Sequence, residues 1–168
     1  MRVTHEHRRD QKIVAGFAVL IVSDSRTKDT DESGKIAIDL IENAGHHIKA
    51  YDIAKNDTTQ IKKMLKKYSE NPEIRIILTS GGTGVSNRDK TVNTVTPMLQ
   101  QILPGFGEYF RRLSFEEVGI AGINSRAVAG IINKQVIYCL PGSKNAVRTA
   151  LTKIILPGIG HLLWEIDR

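Results

Sequence analysis

Apolar positions recur along the chain in two alternating rhythms. The run Gly16–Val22 is continuously apolar and bounded by polar turn residues, which predicts a strand buried on both faces of a parallel sheet. Residues 33–44 place Ile36, Leu40 and Ile41 on one face and stop at Gly45, where a left-handed C-terminal cap costs least, so they predict a helix. A second, less apolar strand is expected over His47–Ala54 and a lysine-rich helix over 58–70. Residues 74–79, Ile-Arg-Ile-Ile-Leu-Thr, predict a third strand that runs straight into Gly81-Gly82-Thr83-Gly84. Helices are expected over 91–102 and 106–118, the second opened by Pro104-Gly105. A further strand over 136–140 ends at Pro141-Gly142-Ser143. A last helix over 144–155 is expected to stop before Pro157, followed by a short amphipathic tail with Leu162, Leu163, Trp164 and Ile166.

Strand and helix thus alternate. That order predicts an α/β domain over residues 13–168, a mainly parallel sheet with helices on both faces and right-handed crossovers, preceded by a loose polar arm at 1–12. In such folds ligands bind beyond the carboxyl ends of the strands.

Composition narrows the function classes. With 40% hydrophobic and 25% charged residues in 168, the chain has ordinary globular content. No apolar run approaches the ~20 residues of a membrane-spanning helix, so no membrane partner is expected. The polar start lacks the apolar centre of a signal peptide, and Cys139 is the single cysteine; together they fit a cytoplasmic, reducing setting and leave no disulfide within the chain. The 24 Lys and Arg against 18 Asp and Glu give a formal charge of +6. The densest basic cluster, Lys62, Lys63, Lys66 and Lys67, interleaves with Ile61, Met64, Leu65 and Tyr68 at helical spacing. It reads as the solvated face of an amphipathic helix, without the alternating aromatics of a nucleic-acid platform. A small anionic ligand suits the same sign of charge.

Four polar loops should crowd the carboxyl rim: Ser23-Asp24-Ser25-Arg26-Thr27, Asn56-Asp57-Thr58, the stretch 80–90, and Pro141-Gly142-Ser143-Lys144. The strongest signal is Ser80-Gly81-Gly82-Thr83-Gly84-Val85-Ser86-Asn87-Arg88-Asp89-Lys90-Thr91. Three glycines in four positions allow positive φ and bring backbone N–H groups against an anion, and phosphate is the natural guest. The spacing is neither a Walker A loop nor the dinucleotide fingerprint, and a tight strand-to-helix turn would use the same residues. Asp89 could equally cap the next helix. Asp57-Thr58-Thr59-Gln60 resembles a capping box, a role compatible with one carboxylate oxygen facing a hydrated Mg²⁺. His5 and His7 on the arm lack the framework of a structural zinc site. Cys139, inside an apolar strand, reads as a small buried hydrophobe.

Five segments in order resemble the MoaB/MogA family of molybdenum-cofactor biosynthesis proteins: Thr79-Ser80-Gly81-Gly82-Thr83-Gly84 with Arg88-Asp89; Pro104-Gly105-Phe106-Gly107-Glu108; Leu113-Ser114-Phe115-Glu116-Glu117-Val118-Gly119; Ser125-Arg126-Ala127-Val128-Ala129-Gly130; and Leu140-Pro141-Gly142-Ser143. The third and fourth are closer to the MoaB branch. The resemblance spans residues 14–160.

It implies a three-layer α/β/α molybdopterin-binding fold, assembled as a homotrimer or a hexamer of two trimers, a state to which the apolar tail lends support. The implied partners are other proteins of the pathway. The implied activity joins molybdopterin to ATP, giving adenylylated molybdopterin and pyrophosphate with Mg²⁺. Carried over by motif position, Asp57 and Asp89 are the functional carboxylates and metal holders. Ser80, Gly81, Gly82, Thr83 and Gly84 cradle phosphate, and Ser125, Pro141, Gly142 and Ser143 line the pterin-phosphate side. Arg88, Lys90 and Lys144 offer positive charge. In one departure, Asp89-Lys90-Thr91-Val92-Asn93-Thr94 has Asn93 where the family commonly carries Glu. That motivates an alternative, a non-catalytic molybdopterin-binding or scaffold protein of the same pathway.

Overall fold

The structure, a computed structural model, describes residues 13–168. The expected arm at 1–12 lies outside the described residues. Six strands form one sheet: β1 (Gly16–Val22), β2 (His47–Ala54), β3 (Ile76–Ser80), β4 (Gln101–Ile102), β5 (Val128–Ile132) and β6 (Gln135–Leu140), in the order β2-β1-β3-β6-β5-β4. The first four of that order run parallel. β5 runs antiparallel to them beside β6, and β4 at the edge pairs antiparallel with β5.

The unbroken apolar character of β1 has the expected cause. Phe17, Val19 and Ile21 enter one core, while Ala18, Leu20 and Val22 enter the other. The first core lies beneath α1 (Glu32–Asn43), α4 (Pro104–Val118) and the C-terminal helices α6 (Lys144–Ala150) and α7 (Leu156–Asp167). The second lies beneath α2 (Thr58–Ser69) and α3 (Thr91–Val95), where Ile61, Leu65 and Tyr68 form the buried stripe of α2. The lysines of that helix face away, and Lys67 pairs with Asp52 at 3.3 Å.

Three expectations need correction. The helix expected over 91–102 ends at Val95 and tightens into a 3₁₀ turn, Thr96–Met98. Pro97 has no N–H to continue the ladder, and Gln101–Ile102 instead pairs with Gly130 and Ile131 as the edge strand β4. Pro157 does not stop the last helix. A π turn, Leu151–Ile155, widens the backbone just before it, so the run passes into α7 with the proline in its first turn. The tail is therefore no free apolar surface: Leu163 is fully buried, and Leu162 and Ile166 pack on the first core.

Strand β5 was not expected. It joins β6 through Asn133 and Lys134, whose φ values of 49° and 66° give the mirror-image two-residue turn that matches strand twist. Among the described residues no helix is long and apolar enough to cross a membrane.

Candidate functional site

The four rim loops are fastened to one another by hydrogen bonds. Asp24 Oδ1 accepts the Asn56 backbone N–H at 2.9 Å, and Asn56 Oδ1 accepts the Lys90 backbone N–H at 3.0 Å. One residue thus ties the loops after β1, β2 and β3. Asp57 caps α2 by accepting the Gln60 N–H at 2.9 Å. Gln60 reaches back to the Lys55 N–H at 3.2 Å, a reciprocal pairing two residues upstream of a true capping box.

The glycine loop needs its glycines. Gly81 (φ 108°) donates its N–H to Leu140 O at 2.9 Å, and a Cβ there would collide with Val22 O. Gly82 (φ 70°) sits against Thr91 Oγ1 and Asn56 Oδ1. Thr91, fully buried, donates its hydroxyl to Gly81 O at 2.7 Å. Asp89 does not cap α3: that cap is Lys90, which makes no side-chain bond. Asp89 instead closes the loop tip on itself, with Oδ2 accepting the Ser86 N–H at 3.0 Å.

Arg126 bolts the loop in place. Its backbone N–H donates to Thr83 O at 2.9 Å, Nε to Gly84 O at 2.8 Å and Nη2 to Asp89 O at 3.2 Å, while Nη1 donates to Asn93 Oδ1. Asn93 therefore serves as a neutral acceptor for this guanidinium. Nothing in the composition of Ser-Arg-Ala-Val-Ala-Gly announces that task, because the contacts span more than thirty residues.

On the opposite wall, Ser80 Oγ donates to Pro141 O at 3.1 Å. Gly142 O accepts from Ser33 Oγ at 2.9 Å and from Arg26 Nη2 at 3.0 Å. Arg26 lies 3.7 Å from the carboxylate of Asp31, which is wholly buried and also accepts the Tyr51 hydroxyl at 2.7 Å. Burial, then that bond to Asp31, push the Tyr51 hydroxyl well above the usual phenol range. Ser143 caps α6 by accepting the Ala146 N–H at 3.2 Å. Lys144 is engaged in an ion pair with Glu32, whose carboxyl it holds below the usual range.

Between these walls opens a cavity of about 380 Å³. Gly82, Thr83, Gly84, Asp89, Ser125, Pro141, Gly142 and Ser143 line it, so eight of the residues singled out from the sequence meet there. Ser80 and Gly81 stand behind it as supports. Arg88 is exposed at the loop tip, and neither it nor Asp57 belongs to the lining. The remaining wall comes from α4 and α5 (Ile120–Ile123): Phe110, Ser114, Glu117, Val118, Ala121 and Gly122. The segment 113–119 stood out in the sequence as a motif, but helical pattern alone gives it no chemical role.

A second cavity, about 220 Å³, is lined by Val85, Ser86, Asn87, Asp89, Lys90, Asn93 and Arg126. The two share Val85 and Asp89. The larger wall carries the carboxylates Asp89 and Glu117 and neither lysine nor arginine; the smaller carries Lys90 and Arg126. Among the described residues no group of three or more His, Cys, Asp or Glu is placed to hold a metal.

Comparison with known proteins finds relatives along nearly the whole chain. A family model described as a probable molybdopterin binding domain matches residues 18–161. Molybdenum cofactor biosynthesis protein B of Bacillus subtilis (strain 168) is 41% identical over 164 residues, 97% of this chain and 96% of that relative. The crystal structure of a molybdenum cofactor biosynthesis protein B superposes with a TM-score of 0.90 at 37% identity, covering 93% of this chain and 98% of the other. The tungsten cofactor synthesizing protein MoaB from Pyrococcus furiosus gives 0.83 at 33% identity, covering 92% and 98%. The sequence motifs, the sheet order and these relatives converge: the chain belongs to the MoaB/MogA family of molybdenum cofactor biosynthesis proteins.

Proposed function

We propose that this protein binds molybdopterin in the larger cavity and adenylylates it with ATP. The observation that carries the reading is Asp89, shared by two adjoining cavities of which one has a glycine-loop floor and the other two cations. Two ligands could meet across that carboxylate. In the reaction the terminal phosphate oxygen of molybdopterin attacks the α-phosphorus of ATP. A new P–O bond forms, the bond to the bridging β-oxygen breaks, and pyrophosphate leaves with the electron pair.

The barrier is the approach of two anions, which transferases of this kind lower by positioning and by fixed positive potential. Here backbone N–H groups of the glycine loop would hold the attacking phosphate, while Lys90 and Arg126 would meet the triphosphate. Asp89, which spends one oxygen on a backbone N–H and keeps the other where the two cavities meet, would be the protein's ligand for Mg²⁺, an ion that typically takes one or two carboxylates plus substrate phosphates; Asp57 also keeps one oxygen but lies outside both linings. Bound there, the ion would supply charge neutralisation of the phosphates.

Purified protein given molybdopterin, ATP and Mg²⁺ should release pyrophosphate. Asp89→Asn, which keeps the acceptor for Ser86, should abolish release without changing the circular dichroism spectrum. Release undiminished in the variant would refute the role of Asp89. A second reading, binding without turnover, is favoured by Asp57 lying outside both cavity linings and by Asn93 being spent on Arg126. It predicts pterin binding with no pyrophosphate.

We further propose self-association as a trimer or hexamer in the cytoplasm, for which Tyr109, Phe115, Val118, Ile120 and Ile123, all exposed on α4 and α5, offer apolar surface. A monomer in light scattering would overturn it.

A further inference from the structure

The two ends of the larger cavity ask for opposite chemistry. At the glycine loop, backbone donors invite an anion. At the α4 wall stands Glu117, a carboxylate, which can only accept. Its Oε1 is fixed by the Thr149 hydroxyl at 2.7 Å and by Lys153 Nζ at 3.4 Å, and its side chain is 30% exposed. Its second oxygen has no donor among the described residues. Phe110, buried, and Val118 give the same wall an apolar face. A phosphate against this wall would be repelled; an N–H-rich ring would not.

Resting on the reading of the cavity as a pterin site, we propose that Glu117 is a specificity-determining residue that accepts hydrogen bonds from the 2-amino-4-oxopyrimidine edge of the substrate ring. That edge presents N3–H and the 2-amino group side by side, a pair of donors matched to one carboxylate in the way a guanidinium is. Adenine presents its amino group beside the N1 lone pair, which a carboxylate repels. Glu117 thus orients the pterin inward and turns adenine away, leaving the phosphate end at Gly82–Gly84.

The test compares neopterin monophosphate with the lumazine of the same side chain, in which a carbonyl replaces the 2-amino group, by fluorescence titration of the full-length protein. Wild type should prefer the pterin by at least about tenfold, the scale of a hydrogen bond to a charged group. Glu117→Gln, whose amide can donate to that carbonyl, should bring the two affinities within about threefold while the melting temperature stays put. The wild-type preference is a test in itself and needs no variant. Wild-type binding without preference, or a variant that weakens both ligands equally, would overturn the assignment while leaving the cavity reading intact. Wild type that binds neither ligand would remove the cavity reading, and the proposal with it.

Discussion

Adding one methyl group at two glycines separates backbone strain from collision in the glycine loop. Gly45 and Gly82 both adopt left-handed conformations, with φ of 85° and 70°. An alanine at 45 has nothing within 4 Å of its Cβ. It pays only the left-handed penalty of about 1–2 kcal/mol, offset by about 0.4–1 kcal/mol because alanine restricts the unfolded chain. The net cost is about 1 kcal/mol. At 82 the same Cβ meets Asn56 Oδ1 at 2.8 Å and Thr91 Oγ1 closer still. Moving both acceptor and hydroxyl breaks the Lys90-to-Asn56 and Thr91-to-Gly81 bonds, each worth about 1 kcal/mol. Gly82→Ala should therefore cost about 3 kcal/mol. For a chain of this length that lowers the melting temperature by roughly 9 °C, against roughly 3 °C for Gly45→Ala, in thermal denaturation followed by circular dichroism. Equal shifts in the two variants would show that Thr91 and Asn56 yield freely and that the loop is not held rigid by them.

Other consequences follow from single residues. Arg126→Ala removes three side-chain bonds to the glycine loop and Asn93, so amide hydrogen exchange over residues 83–91 should quicken by at least about tenfold; unchanged exchange would show that the loop holds itself. Partial burial, then the neighbouring His47, lowers the His46 pKa below 6.5. On acidification below that value the unfolded chain binds a proton before the folded one does, so stability falls until the lower folded pKa is reached. The urea midpoint of wild type minus that of His46→Gln should accordingly decrease from pH 7.5 to 5.5, and a constant difference would contradict it. Burial pushes the Cys139 thiol up to about 12. It should resist Ellman's reagent at pH 8 in the native protein and react at once in denaturant; fast native labelling would mean that β6 opens.

The strands of the central sheet could be read from sequence because each carries its evidence locally. β1, and β6 from Val136 onward, present no charged residue and are buried throughout, and that is what burial on two faces requires. β5 escaped notice for the converse reason. Val-Ala-Gly-Ile-Ile is short and contains small residues, and its turn uses Asn133-Lys134 without a glycine, so its strand character comes from pairing with β6. The end of α3 and the passage through Pro157 likewise depend on partners elsewhere in the fold. At the site, the glycine loop and the Ser143 turn were legible as unusual local chemistry. Arg126, Arg26 and Asn56 were not, since each acts on backbone carbonyls or amides of segments far away in sequence. Glu117 reads as an ordinary polar helix position until the cavity beside it is seen.

The helical run from Ser143 onward also links opposite ends of the molecule. It begins at the cavity wall, crosses the π turn without interruption, and at its far end Asp167 grips Arg75, next to the start of β3, through two bonds of 2.9 and 3.1 Å. At 1.5 Å per residue the rod measures roughly 36 Å, about the diameter of a small domain. It acts as a cross-brace: shearing the sheet at its base would drag the Ser143 wall of the cavity along with it, so the clamp at Asp167 bears on the shape of a chamber at the other end of the rod.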